Sequence, residues 1–151
     1  MMKSKRFEPI QEIAATSAKD LSRAMADAGR KVADLERQLE QLQTYRDEYV
    51  RNSTQFAGAI DAVKLQNYRS FLDRLGEALN QHSKSLDIAR KEFEKRRAQW
   101  SEKRMEAESL NRVIDRFRKE EQYAADGREQ REGDDAAMHR MLAARTDTRN
   151  A

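Results

Sequence analysis

The sequence predicts an all-α fold: a long antiparallel two-helix coiled-coil hairpin with the second helix longer and a frayed C-terminal tail. Three observations predict it. Apolar residues recur in three-and-four alternation along two stretches, helix-forming residues dominate, and one patch of turn-forming residues separates the stretches. Residues spaced this way stay on the side of a helix that faces a partner, which makes the alternation the seam of a coiled coil. One Pro and five Gly stand against many Ala, Glu, Lys, Arg, Leu and Gln, and no strand-type alternation of β-branched residues is present.

Helix one is expected over about 9–51. Counting in sevens gives Phe7, Ala14, Leu21, Ala28, Leu35, Leu42 and Tyr49, interleaved with Gln11, Ala18, Met25, Val32, Leu39 and Arg46. Pro9 suits a helix start, where its missing N–H leaves no bond unmade. A bend is expected over about 52–61, where Asn52, Ser53, Thr54, Gln55, Gly58 and Asp61 interrupt the pattern over a length that fits a hairpin.

Helix two is expected over about 62–125, which completes a hairpin spanning 1–125. Its ladder reads Leu65, Leu72, Leu79, Leu86, Phe93, Trp100, Ala107 and Ile114, with Tyr68, Leu75, His82, Ala89, Arg96, Lys103, Leu110 and Phe117 between. Residues 126–151 read as a charged, partly disordered tail, with a short helical piece conceivable from Ala136 to Ala144.

A symmetric bend sets a register. Tyr49 then meets Leu65, Leu42 meets Leu72, Leu21 meets Phe93, Ala14 meets Trp100, Phe7 meets Ala107, and Val32 faces His82. Packing is expected to be tight near the bend and looser toward the termini. Leu110, Ile114 and Phe117, with Val113 beside them, have no intrachain partner in this register and form an apolar stripe that a partner should cover.

Composition narrows function. With 38% charged and 38% hydrophobic residues, the chain lacks the apolar mass of a compact globule. Zero cysteines exclude disulfides and thiolate metal sites, and His82 and His139 lie far apart with no partner at metal-ligand spacing. No cofactor is expected. No signal-like or membrane-spanning run is visible, so the expectation is a cytoplasmic protein. Thirty basic residues are nearly matched by 27 acidic ones, and no clean basic face suggests nucleic acid as a partner. No phosphate-binding glycine loop and no nucleophile triad is present, so an enzyme is the least supported class.

The flanks of the seam are unequal. Gln38, Tyr45, Phe71 and Ala78 border one side near the bend; Glu36, Gln43, Arg69 and Gly76 border the other. The first side is apolar and aromatic beyond what a seam needs, which is the composition of an interface anchor.

The bend residues also carry a family resemblance. The run Tyr45-Arg46-Asp47-Glu48-Tyr49, then Asn52, Ala57-Gly58, Ile60, Asn67-Tyr68, Phe71, Leu75, Ala78 and Gln81-His82 resembles the FliJ family of the bacterial flagellar type III export apparatus. The resemblance covers about Ala24 to Trp100. It implies a non-enzymatic central stalk that activates the hexameric export ATPase and couples it to the cytoplasmic domain of the export gate. It also implies contact with export chaperones and a place at the inner face of the cell membrane, reached only through partners. The gate-facing set it implies is Gln38, Leu42, Tyr45, Tyr49, Phe71, Leu75, Ala78 and His82; by analogy the open end, with Leu110, Arg112, Ile114, Arg116 and Phe117, enters the ATPase ring. The alternative is an export chaperone or adaptor that binds substrates or chaperones without changing ATP turnover.

Overall fold

The computed structural model describes residues 2–54 and 61–149. Two helices are present, α1 (Lys3–Thr54) and the longer α2 (Ala62–Arg149), packed as an antiparallel hairpin with no strand among the described residues. The expected bend falls partly on residues 55–60, outside the described residues, as do Ala57, Gly58 and Ile60 of the family pattern. Asp61 opens α2 as its cap, its Oδ1 accepting from the Lys64 amide at 2.8 Å.

Contacts divide the chain into two compact units. One is Ser17–Lys103; the other joins Met1–Thr16 to Arg104–Ala151.

The heptad phase read from sequence holds throughout. The buried apolar residues are Ala14, Ala18, Leu75, Leu79, Leu86, Ala89, Ala107 and Ile114, and every one lies on a ladder position. A two-helix seam is one layer deep, so most remaining ladder residues are half-buried.

The register differs by about one heptad. In the Ser17–Lys103 unit, Phe93 lies against Gly29, where a Cβ would stand only 3.3 Å from the ring, and Glu36 accepts from Arg90 at 3.1 Å. Phe93 is therefore level with Ala28, not Leu21. Tyr49 meets Tyr68 and Phe71 instead of Leu65, which is exposed. The same register sets Leu42 level with Leu79, Leu35 with Leu86, and His82 with Leu39 instead of Val32.

In the unit that holds Met1–Thr16, the shift brings Phe7 onto Phe117, centroids 5.4 Å apart, where Ala107 was expected. Ala107 falls level with Ala14. The expectation of an uncovered stripe is thus corrected: Ile114 is only 3% exposed, and Leu110, Val113 and Phe117 are half-buried. Nor is packing looser here than near the bend. Small residues at Ser4, Ala14 and Ala107, all buried, let the two backbones approach.

Both helices also outrun the spans read from sequence. α1 starts at Lys3 and carries Pro9 inside it. An interior proline removes one helical hydrogen bond and costs about 3 kcal/mol, and the contacts of Ser4, Phe7 and Glu8 with α2 oppose that loss. α2 stays helical to Arg149 through Gly127 and Gly133, neither with positive φ, and every residue from Arg128 to Arg149 is exposed.

Candidate functional site

The expected gate-facing residues all belong to the Ser17–Lys103 unit, on facing stretches of α1 and α2. Four aromatic rings dominate the surface. Tyr49 stacks on Tyr68 at 5.2 Å with planes 15° apart, and Phe71 sits 4.5 Å from Tyr49. Tyr45 meets the same Phe71 edge-on at 6.2 Å. The Tyr68 hydroxyl shares a 2.6 Å hydrogen bond with Ser53 Oγ, which donates to the Val50 carbonyl. This bond anchors the polar tip of a ring whose body is packed.

Exposure separates the expected set into two groups. Leu75 is buried, and Leu42, Tyr49, Phe71, Ala78 and His82 are half-buried in or beside the seam. Gln38 and Tyr45 are exposed, Tyr45 by 51%. The two flanking rings are therefore not equally open: Tyr45 faces water, while Phe71 is wedged between Tyr45 and Tyr49. A partner approaching this face meets Tyr45 and Gln38 first and the edges of Phe71 and His82 behind them.

The five residues expected at the open end also divide. Leu110, Ile114 and Phe117 point into the seam, whereas Arg112 and Arg116 are exposed and have no ion pair among the described residues. Arg112, Arg116, Lys119 and Tyr123 follow one another at i, i+4, i+7 and i+11, one face of a helix. Tyr123 is the most exposed large hydrophobic side chain among the described residues, at 82%. Sequence reasoning missed it because the search followed the seam; the same periodicity counted along the outer face would have reached it.

Sequence reasoning also missed the clasp between the start of α1 and α2. The Ser4 amide donates to Glu121 Oε1 at 3.1 Å, and its hydroxyl donates to Oε2 at 2.7 Å. Glu8 accepts from Arg118 at 2.8 Å, and the Lys3 ammonium lies 5.6 Å from the centre of the Phe117 ring. A carboxylate at a helix N-terminus satisfies amides that have no helical acceptor and faces the positive end of the dipole. The Ser4 hydroxyl and then its amide hold the Glu121 carboxyl below the usual carboxylate range.

That lowered value fixes a pH dependence. A depressed carboxyl contributes its stabilisation above its unfolded value and loses it as pH falls through the folded one. Hydrogen exchange at the Ser4 amide, relative to its intrinsic rate, is expected to rise in acid as Glu121 protonates. In Glu121→Gln the protection is expected to be reduced at neutral pH and to lose this acid step. Identical protection profiles for the two proteins would contradict the clasp.

Among the described residues no group of His, Cys, Asp or Glu is arranged to hold a metal, and no helix is long and apolar enough to cross a membrane. Grooves on the surface are open and shallow, such as the one between Ala24, Ala28, Ile88 and Ala89. What the arrangement offers is contact surface.

No curated protein and no solved structure matches the chain. The family profile described as flagellar FliJ protein matches residues 2–146, nearly the whole length. The two packed helices agree with the fold read from the heptads, and the match carries the resemblance beyond Ala24–Trp100 to nearly the whole chain: the chain belongs to the flagellar FliJ protein family and is a component of flagellar type III protein export.

Proposed function

We propose that the protein is a central stalk and activator of the hexameric flagellar export ATPase and couples it to the export gate. The observation that carries this reading is the placement of partner-type residues outside a closed seam. Tyr and Arg are enriched where interfaces concentrate their binding energy, and each unit presents such residues to solvent: Gln38 and Tyr45 over Phe71 in one, Arg112, Arg116, Lys119 and Tyr123 in the other.

The aromatic face, with Gln38, Leu42, Tyr45, Tyr49, Phe71, Leu75, Ala78 and His82, is assigned to the cytoplasmic domain of the gate. The ring contact is assigned to the segment Leu110–Tyr123, in which Arg112, Arg116, Lys119 and Tyr123 touch the ATPase while Leu110, Ile114 and Phe117 hold the helix in place. ATP chemistry stays in the partner; this chain supplies a surface that biases the ring. Exposed arginines on a helix make charge contacts that form and break readily, which suits engagement with successive ring subunits.

The test is ATP turnover by the cognate export ATPase with and without this protein. Wild type is expected to raise turnover severalfold. Arg112→Glu with Arg116→Glu is expected to need at least tenfold more protein for the same stimulation, because reversed charges face the partner's complementary surface. Tyr45→Ala is expected to stimulate as wild type does. If wild type binds export substrates or chaperones and leaves turnover unchanged, the stalk reading fails and the chaperone or adaptor reading replaces it.

A further inference from the structure

Beyond the seam, α2 carries a second apolar face that no described residue of α1 covers. Met138, Met141 and Leu142 are 64%, 63% and 54% exposed. Asp134, Met138, Met141 and Arg145 recur at i, i+4, i+7 and i+11, the spacing of a coiled-coil seam. With Ala137 and Leu142 they line one shallow groove along the helix.

The order of these six side chains identifies what fits them. From one end they read acid, alanine, methionine; from the other, arginine, leucine, methionine. A second copy turned about a two-fold axis between Met138 and Met141 places Asp134 opposite Arg145, Ala137 opposite Leu142 and Met138 opposite Met141. Each pair then occurs twice, as an isologous contact requires. A parallel copy would set Asp134 on Asp134 and Arg145 on Arg145, placing like charges together. Size matches as well, since the small alanine meets leucine, and the flexible methionines adapt to each other at the axis.

We propose that this face of α2, from Asp134 to Arg145, binds the same face of a second copy of the chain in antiparallel orientation. The contact runs for about 18 Å of helix at 1.5 Å per residue. That length places the pairing in the transient class, below about 1,200 Å² of buried surface. Asp134 and Arg145 set orientation and register; Met138, Met141 and Leu142 supply the apolar burial. The face is separate from the stripe of Arg112, Arg116, Lys119 and Tyr123.

The test is sedimentation equilibrium of the full chain over a wide concentration range, with helicity measured for each variant. Wild type is expected to show a monomer–dimer equilibrium. Asp134→Arg and Arg145→Asp, each placing like charges opposite at both ends, are expected to weaken it at least tenfold with unchanged helicity. An equimolar mixture of the two single variants, and the double variant alone, are expected to regain wild-type association, because opposite charges face each other again. Since the chain has no cysteine, Met138→Cys mixed with Met141→Cys should oxidise mainly to the disulfide between the two different variants. A monomeric wild type, single reversals that associate as wild type does, a mixture that fails to recover, or preferential same-site disulfides would each overturn the proposal.

Discussion

Leu86→Ala is expected to lower the free energy of unfolding by about 3 kcal/mol, within the usual range for a buried leucine truncation. Leu86 is 4% exposed and, in the observed register, level with Leu35. A seam one layer deep has no side chains behind it that can move in to replace the lost contacts. Ile88, two residues on, is 69% exposed, and Ile88→Ala is expected to change stability by no more than about 0.5 kcal/mol. Urea unfolding of the two variants beside wild type checks the contrast. Equal effects would mean that the face of α2 assigned to the seam is wrong.

At the aromatic face, Tyr45→Ala is expected to weaken binding to the cytoplasmic domain of the export gate about 30-fold, the loss of roughly 2 kcal/mol that a central aromatic anchor carries. Its effect on unfolding should stay near 1 kcal/mol, because Tyr45 is 51% exposed and meets Phe71 edge-on. Phe71→Ala is the less clean variant. That ring contacts both Tyr45 and Tyr49, so its removal loosens the cluster as well as the surface. Titration calorimetry with the purified gate domain separates the effects, and unchanged affinity for Tyr45→Ala would remove this face from the gate contact.

The fold was largely legible because a heptad is a local signal. Each of Ala14, Leu75, Leu79, Leu86 and Ala89 could be placed on the buried side from its spacing alone, and each is buried. Register was not legible by the same means. Sliding one helix by seven residues returns every apolar position to the seam, so phase is fixed while the layer is not. What decides the layer is chemistry that spacing ignores: Gly29 leaves room for Phe93, Phe7 finds Phe117, and Ser4 finds Glu121. Pro9 misled for a related reason. It marks a helix start by intrinsic preference, and the contacts of Ser4, Phe7 and Glu8 hold the preceding turn helical.

The register also decides which surfaces are free for partners. With the two ladders one heptad apart from a symmetric hairpin, the first turns of α1 close over Leu110, Ile114 and Phe117, and a partner meets the outer face of α2 instead. Among the residues proposed for the ring, only those outside the seam can then make contact without the helices separating. Arg112 and Arg116 accompany the apolar stripe in sequence, but they are exposed and share an outer helix face with Tyr123.

The most direct measurement of this closure is disulfide trapping in the cysteine-free chain. Ala14→Cys with Ala107→Cys places thiols level in the observed register, whereas Phe7→Cys with Ala107→Cys places them level in the symmetric one. Oxidised at low concentration and resolved as monomers, the first pair is expected to form an intramolecular disulfide readily and the second to remain reduced. The reverse result would contradict the register and return Leu110, Ile114 and Phe117 to the surface as an open apolar face.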